Sequence, residues 1–390
     1  APSSHKLYES GLSAVASDTV CFPAKLVHGH IRSLANMHVD RIFMPSITSV
    51  QSENKEKTSE WMCAIVKGYP LVIKNSDNPE HVFGIPFDNP YSIWTIGIPQ
   101  KDYQNKILDM ADLVIAIGYD IVEFAPGKWN AGGKHKIIHI DQRSAHINML
   151  YQPEVQVVGD ISYSLQQIKF RCEEKEEPEE ILNLKKEMVK EYESYAEDTS
   201  FPMKPQKILY DVRKFMGEDD IVISDVGAHK MWIAREYNCY KPNTCIISNG
   251  FATMGIAVPG AVAAKLVHPD KKVLAISGDG GFMMNSQEYE TALREGTPIV
   301  TLIFTDASYG LSKWKQIDHF GKHCYVDFTN PDFVKYAESM HAKGYRVEKA
   351  EDLIPILEDA FRQKVPCIID CPVDYSENTK LSEYLQEKFE

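Results

Sequence analysis

The sequence predicts an α/β protein whose larger part is a doubly wound parallel sheet. Two observations lead to this fold class. From residue 206 onward, short runs rich in β-branched residues alternate with longer runs of helical periodicity. The short runs, such as "DIVISD" at 220–225, are mostly apolar, which is typical of parallel strands buried on both faces. Such an alternation places helices on both faces of one sheet and ligands at the carboxyl ends of its strands.

The strands and helices of this larger domain can be placed in chain order. The strands are "DIVISD" at 220–225, "TCIISN" at 244–249, "KKVLAIS" at 271–277, "PIVTLIFTD" at 298–306 and "CIIDCPV" at 367–373. The helical runs are "HKMWIAREY", "MGIAVPGAVAAKLVH", "MNSQEYETALREG", "NPDFVKYAESMHA" and "AEDLIPILEDAF". Together they predict one domain over residues 206–390.

Three further segments precede this domain. A smaller Rossmann-like α/β domain is expected over 86–170, with the strands "ADLVIAIGYD", "KIIHID" and "VQVVGD" and helical runs such as "QKDYQNKILDMA". Residues 171–205 begin with a stretch dense in Glu and Lys, which indicates a solvated helical linker. Residues 1–85 predict a short N-terminal α/β segment, in which "DTVCFPAKLVHGHIRSL" suggests a strand and then a helix.

Composition narrows the class of protein. The chain has 390 residues, of which 44% are hydrophobic and 25% charged, enough for two or three globular domains. No apolar run approaches the ~20 residues of a membrane span, and the N-terminal residues lack the layout of a signal peptide, so we expect a cytoplasmic protein without a membrane partner. A net charge of -13 with scattered basic residues argues against a nucleic-acid partner.

Two aspartates mark the candidate site. Asp279 follows the strand at 271–277 and is flanked by glycines, which let backbone N–H groups approach phosphate oxygens. Asp306 ends the next strand, 27 residues later. For either Asp alone, a helix cap or a turn is an alternative interpretation. Because neighbouring parallel strands end at the same edge, the pair together predicts a shared Mg²⁺ that bridges the protein to phosphate groups.

These residues resemble the thiamine-diphosphate motif, and residues 206–378 are similar to the diphosphate-binding domain of acetolactate synthases. The matching stretches are "SGDGGF", "DASYG", "SDVGAHKMW", "SNGFATMGIAVPGA", "GLSKWKQ" and "IDCPVDYSEN". The resemblance implies thiamine diphosphate and Mg²⁺ as cofactors. It implies that the side chains of Asp279 and Asp306 and the carbonyl of Ser308 hold the metal.

The resemblance also implies roles for residues that bind the organic cofactor. These are Gly227, His229, Ala252, Met254, Gly278, Gly280 and Gly281. The glycines line the diphosphate, Met254 props the cofactor into its bent shape, and the Ala252 carbonyl faces the 4′-amino group. Without the resemblance, Met254 would be core filler and His229 a residue at a helix start.

The first half of the chain resembles two different families. Residues 91–165 are similar to the central domain of acetolactate synthases that carry no flavin, so a structural role without FAD is expected. Residues 1–85 resemble activator proteins of 2-hydroxyacyl-CoA dehydratases, mainly through "CFPAKLVHGH". Cys21 and Cys63 are then either iron–sulfur ligands or buried structural thiols. His28 and His30 are expected to be surface or core histidines.

One domain of the family, the one that supplies an activating glutamate, is not recognisable in this sequence. Family enzymes activate their cofactor with a glutamate from a separate pyrimidine-binding domain. Residues 1–90 show no such domain, and Glu53, Glu56 and Glu60 lie in a polar stretch that predicts a solvated loop. The catalytic Glu is therefore expected to come from elsewhere, such as a partner subunit.

The resemblance implies an enzyme with transferase or lyase chemistry. The expected reaction is decarboxylation of pyruvate, a small 2-oxo acid, and joining of the product to a second 2-oxo acid to give acetolactate. Family enzymes also imply a homo-oligomer. Two alternatives stay open: a protein that binds thiamine diphosphate without catalysis, and an activator-like or scaffold protein led by residues 1–85.

Overall fold

The computed structural model describes residues 102–121, 125–169, 171–172, 178–249 and 251–381. The chain divides into two compact units, 1–85 and 86–390, and every described residue lies in the second. The expectations for the N-terminal segment, including those for its cysteines, histidines and glutamates, lie outside the described residues. Among the described helices, none is long and apolar enough to cross a membrane.

Within residues 86–390, the smaller of two domains contains a three-stranded parallel sheet in the order β1-β2-β3. Helix α1 (Tyr103–Met110) begins at Asp102, whose side chain accepts the Tyr103 N–H. The strands are β1 (Leu113–Ile117), β2 (Lys136–Asp141) and β3 (Val155–Val158), and helix α2 (Ile161–Lys169) follows. All the strand segments expected in this domain are present. Its core is a small cluster around Trp129, Ile137 and Tyr151.

The larger domain within residues 86–390 contains a six-stranded sheet in the order β5-β4-β6-β7-β9-β8, with every pairing parallel. Its strands are β4 (Ile221–Ser224), β5 (Cys245–Ile247), β6 (Val273–Gly278), β7 (Val300–Thr305), β8 (Lys343–Arg346) and β9 (Cys367–Pro372). Strands β4, β6, β7 and β9 are buried almost throughout, as their apolar runs predict. The α/β class with a doubly wound parallel sheet is confirmed.

Helices cover both faces of this sheet. They are α4 (Pro205–Phe215), α5 (Ala228–Glu236), α6 (Ala257–Val267), α7 (Asp279–Phe282), α8 (Glu288–Arg294), α9 (Gly310–Phe320), α10 (Phe333–Ser339) and α11 (Leu353–Ala360). One apolar cluster packs α4, α5 and α11 against one face, and a second packs α6, α8 and α10 against the other. Neighbouring residues of β4, Val222 and Ile223, point into opposite clusters, so each face has a core of its own.

Several elements were not expected from the sequence, among them strand β8 and helices α2, α4 and α9, and the linker helix differs from its expectation. Strand β8 is a half-buried edge strand whose "KGYR" has no apolar run. Helix α9 has no buried residue, so apolar periodicity could not reveal it. Helix α3 (Glu179–Ser194) is helical as expected, but it is not wholly solvated: Met188 and Tyr192 are buried, and the Tyr192 ring lies 5.1 Å from that of Tyr210.

Candidate functional site

The carboxyl ends of β4, β6 and β7 form the floor of an open cleft. Strand pairing places these three ends side by side, since β6 pairs with β4 on one side and with β7 on the other. The predicted site residues that line the cleft are Gly227, His229, Met254, Gly278, Asp279, Gly280, Gly281, Asp306 and Ser308. Ala252 is not among the lining residues. The structure thus brings together residues that lie up to 81 positions apart in the chain, from Gly227 to Ser308.

Asp279 is fully buried at the end of β6, where four hydrogen bonds hold its carboxylate. Its Oδ2 accepts the N–H groups of Asp306 at 3.1 Å and Ala307 at 2.7 Å, and the Asn330 Nδ2 at 2.7 Å. Its Oδ1 accepts the Gly280 N–H at 2.8 Å. Burial raises the pKa of Asp279, while these donors oppose that rise by stabilising the charged form.

Asp306 lies beside Asp279 but is only half-buried. The Ser308 Oγ donates to its Oδ2 at 2.6 Å. Burial and the nearby negative charge of Asp279 raise the pKa of Asp306 to about 6. Within the described residues, no salt bridge of 4.0 Å or less joins a basic side chain to either carboxylate. The pair is therefore a concentrated negative charge that a divalent cation would neutralise.

A turn after β7 fixes the backbone around Ser308. Ala307 has a φ of +55°, in the left-handed region that few residues other than glycine adopt. Its carbonyl accepts the Phe328 N–H at 3.0 Å, and the Tyr309 N–H donates to the Val326 carbonyl at 2.8 Å. These bonds hold Ser308, which is buried, at the edge of the cleft next to Asp306.

Glycines keep the cleft free of side chains at two positions where a Cβ would collide with its walls. At Gly280 a Cβ would lie 2.8 Å from the Tyr309 Cε1, and at Gly227 it would lie 2.7 Å from the His229 Cε1. Such approaches require glycine, because real Cβ atoms do not come so close to other heavy atoms. The backbone at these positions is thus directly accessible to a ligand.

Comparison with protein families agrees with the family resemblance of the sequence motifs. The family model described as "Thiamine pyrophosphate enzyme, C-terminal TPP binding domain" matches residues 225–371. The model described as "Thiamine pyrophosphate enzyme, central domain" matches residues 77–168. These two parts of the chain thus match two domain models of one family, the thiamine pyrophosphate enzymes. The expected resemblance over the second half of the chain is therefore confirmed.

Curated relatives point to one branch of the thiamine pyrophosphate enzymes. An acetolactate synthase of Bacillus subtilis (strain 168) is 38% identical over 299 residues, which cover 75% of this chain and 52% of the relative. The catabolic acetolactate synthase of Raoultella terrigena is 33% identical over 291 residues, covering 73% and 52%. The mitochondrial acetolactate synthase catalytic subunit of Saccharomyces cerevisiae is 31% identical over 303 residues, covering 74% and 44%. The chain spans about half the length of these relatives.

The N-terminal part has a different relationship. Residues 1–114 match the family model described as "CoA enzyme activase uncharacterised domain (DUF2229)", as the resemblance to activator proteins predicts. This match overlaps the central-domain match at residues 77–114. No family model for a pyrimidine-binding domain matches the sequence. The chain thus joins an activase-like segment to two domains of a thiamine pyrophosphate enzyme.

The cleft fits the cofactor that defines this family. His229 is buried in the cleft wall, and its Nε2 has no hydrogen-bond partner in the part of the chain that the structure describes. Burial lowers the pKa of His229 to about 4, so its ring is neutral at pH 7. An unpaired buried nitrogen next to the glycine-lined backbone is the arrangement expected where a polar ligand completes the hydrogen bonding.

The metal half of the site also fits. Among the described residues, no group of three or more His, Cys, Asp or Glu side chains is arranged to hold a metal ion. A metal at Asp279 and Asp306 would therefore take its remaining ligands from backbone oxygen, water or phosphate. That mixture suits Mg²⁺, which is commonly bound by one or two carboxylates together with substrate phosphates.

Ala252 and Met254 lie on the segment before α6. Ala252 has a φ of +49°, which is strained for a residue with a Cβ. Met254 lines the cleft and precedes Gly255, whose φ is +86°. Strain of this kind is common where the backbone is shaped for a ligand. The specific roles of Ala252 and Met254 stay predictions.

Three polar residues of the site were missed in the sequence. Asn330 donates to Asp279, Asp225 accepts the Gly255 N–H at 2.8 Å, and Asn285 donates to the Gly255 carbonyl at 2.9 Å. Asp225 carried a usable signal, because it directly follows a buried strand, as Asp279 and Asp306 do. The two asparagines lie on loops far along the chain from their partners, and no local pattern marks them.

Proposed function

We propose that this chain supplies the diphosphate-binding part of a thiamine-diphosphate- and Mg²⁺-dependent enzyme of the acetolactate synthase type. The proposed reaction converts pyruvate to acetolactate by decarboxylation and carboligation. The observation that carries the proposal is a pair of carboxylates, the buried Asp279 and the half-buried Asp306, beside a glycine-lined cleft. The names of the curated relatives support the choice of reaction.

In this proposal the chain's residues hold and orient the cofactor. Asp279 and Asp306, with the carbonyl of Ser308, hold Mg²⁺, and the backbone at Gly278, Gly280 and Gly281 lines the diphosphate. Neutral His229 offers its Nε2 to a polar group of the ligand. When bound, thiamine diphosphate supplies the carbanion chemistry that removes CO₂ from a 2-oxo acid and forms the new carbon–carbon bond.

Other residues shape the site around the reacting end of the cofactor. Met254 provides an apolar wall, and the Ala252 carbonyl is proposed to accept a hydrogen bond from the 4′-amino group. An apolar wall excludes water, which strengthens the electrostatic interactions inside the site. The chain's own residues thus bind and orient, while the chemistry is the cofactor's.

A second domain is proposed to cover the cleft. Large apolar side chains around this end of the sheet are exposed: Phe251 by 97%, Met283 by 41%, Met284 by 45% and Tyr309 by 40%. A cluster of this kind is typical of a surface that another domain or subunit contacts. We propose that this partner is a pyrimidine-binding domain that carries the activating glutamate, within a homo-oligomeric, cytoplasmic assembly.

The proposal predicts that turnover depends on such a domain. The 390-residue chain, supplied with pyruvate, thiamine diphosphate and Mg²⁺, is expected to form acetolactate only after a pyrimidine-domain protein is added. The matched control is the same pyrimidine-domain protein with its activating Glu replaced by Gln, which should restore no turnover. Acetolactate formation by the chain alone would contradict the need for a partner.

A second candidate function is binding of thiamine diphosphate without catalysis. It would rest on the described cleft alone, whose residues bind and orient the cofactor. Cofactor-dependent quenching of tryptophan fluorescence, without pyruvate consumption under any pairing, would support this candidate over the enzyme. An activator-like or scaffold role would rest on the activase-like match at residues 1–114. An iron–sulfur absorbance band that is lost on Cys21→Ser would favour it.

A further inference from the structure

Asp225 is a fully buried carboxylate that directly follows β4. Its Oδ1 accepts the N–H groups of Val226 at 2.7 Å and Gly255 at 2.8 Å. Its Oδ2 accepts the N–H of Ala257 at 3.2 Å. The carboxylate therefore joins two backbone segments that are about 30 residues apart in the chain.

The segment that Asp225 holds is the one that carries Met254. Gly255 is bound on both sides: its N–H donates to Asp225, and its carbonyl accepts the Asn285 Nδ2 at 2.9 Å. Its φ of +86° requires glycine, and a Cβ there would lie 2.7 Å from the Asn285 Nδ2. Because Gly255 directly follows Met254, these bonds fix the carboxyl end of the Met254 backbone relative to the sheet.

Asp225 also contacts the other backbone segments around the cleft. Its own N–H donates to the Ile276 carbonyl on β6 at 2.8 Å. A Cβ on Gly281 would lie 3.1 Å from the Asp225 Oδ1, so the turn after β6 packs directly against this carboxylate. Through Val226 it holds the loop that leads to Gly227 and His229. The Asp225 side chain thus lies against three backbone segments at or next to the cleft, those of Val226, Gly255 and Gly281.

A buried carboxylate such as Asp225 must be stabilised by neighbouring groups. Among the described residues, no salt bridge joins Asp225 to a basic side chain, so backbone N–H groups stabilise its charge. One of these groups belongs to the first residue of the 11-residue helix α6, where the helix dipole favours an anion. Replacement of either partner would leave buried polar groups without hydrogen bonds.

We propose that Asp225, together with Asn285, is a positioning residue that sets the place of Met254 in the cleft. The inference rests on the proposed function to the extent that Met254 contacts the cofactor. Asp225 itself would contact neither cofactor nor substrate. Its effect passes through the N–H groups of Gly255 and Ala257, which makes the inference testable on the chain without any cofactor.

The test compares Asp225→Asn and Asn285→Ala with the control Asp220→Asn. Asp220 is a suitable control because it also accepts backbone N–H groups, those of Gly217 at 2.7 Å and Lys272 at 2.9 Å, but at the opposite end of β4. Amide hydrogen exchange at residues 255 and 257 is measured on the cofactor-free chain. Affinity for thiamine diphosphate with Mg²⁺ and the near-ultraviolet circular dichroism of the bound cofactor are measured alongside.

Asp225→Asn is expected to speed exchange at residues 255 and 257 by about 10-fold or more, since each loses a charged acceptor. It should weaken cofactor affinity by about 10-fold and change the dichroism of the bound cofactor, whereas Asp220→Asn should leave all three unchanged. Asn285→Ala is expected to change the same properties by a smaller factor. Unchanged exchange and affinity in Asp225→Asn, or equal effects in Asp220→Asn, would overturn the inference.

The two proposals can fail separately. If the wild-type chain binds no thiamine diphosphate, the proposed function fails, and exchange at residues 255 and 257 still decides whether Asp225 holds this segment. If the wild-type chain binds the cofactor and Asp225→Asn binds it equally well with the same dichroism, the positioning role fails while the proposed function stands.

Discussion

Asp279→Ala is expected to weaken Mg²⁺-dependent binding of thiamine diphosphate by at least ~100-fold, because loss even of a residue behind a metal ligand costs 10–100-fold. The variant removes one of the two carboxylates proposed to hold Mg²⁺. It also removes the acceptor of the Asp306, Ala307 and Asn330 donors, so the turn that carries Asp306 loses its anchor. Quenching of tryptophan fluorescence during cofactor titration measures the effect.

Asp306→Asn provides the matched comparison for this prediction. Its amide keeps an oxygen that can bind a hard cation but removes the charge that crowds Asp279. We expect this variant to retain cofactor binding, with a higher Mg²⁺ concentration needed for half saturation. Equal binding by Asp279→Ala and the wild-type chain would contradict the assignment of Asp279 as a metal ligand.

Arg235→Ala is expected to lower the free energy of unfolding by about 3 kcal/mol or more, as is usual when one partner of a buried ion pair is removed. Arg235 lies near the end of α5 and forms two hydrogen bonds to Asp102, at 2.7 and 3.0 Å. It also pairs with the buried Glu236 and, at 3.5 Å, with Glu191. Its loss would leave Asp102 and Glu236 buried without a cation.

The electrostatics of Glu236 support the direction of this change. Burial raises the pKa of Glu236 to about 7, and Arg235 opposes the rise. Without Arg235 the carboxyl would be protonated or would destabilise the fold. Arg235 lies on α5, whose first residues line the cleft. It binds Asp102, the capping residue of α1, and Glu191 on α3. Arg235 therefore links the larger domain with helices α1 and α3, which precede it in the chain.

Arg294→Ala is the control for this prediction. Arg294 forms comparable ion pairs with Glu290 and Glu295, but its side chain is 58% exposed, whereas that of Arg235 is 14% exposed. Exposed pairs contribute little, so a change of less than ~1 kcal/mol is expected. Urea unfolding of both variants measures the difference. Equal changes in the two variants would show that the Arg235 cluster does not stabilise the fold.

The fold was predictable where buried elements have apolar runs in the sequence. Strands β6 and β7 are buried on both faces, so their apolar runs identified them directly. Strand β8 lies at the sheet edge and α9 on the surface, and neither carries such a run. The sequence predicts helix α3 as helical, but its buried side chains, Met188 and Tyr192, are hidden among dense charges, so their packing against the fold was not predicted.

The site was predictable only in part, for a related reason. Asp279 and Asp306 follow neighbouring strands, so their positions in the sequence place them together. Their supporting partners arise from tertiary packing. Asn330 reaches Asp279 across 51 residues, and Asn285 reaches Gly255 across 30. Contacts between residues so far apart in the chain leave no local sequence pattern, and only the three-dimensional structure of the loops reveals them.

The most direct test of the central claim is a calorimetric titration of the 390-residue chain with thiamine diphosphate, first with Mg²⁺ and then with the metal removed by a chelator. The cleft geometry and the paired carboxylates predict saturable binding of one cofactor per chain with Mg²⁺, and loss of that binding with chelator. Binding that is unaffected by the chelator, or no binding under either condition, would contradict the claim that this cleft is a Mg²⁺–diphosphate site.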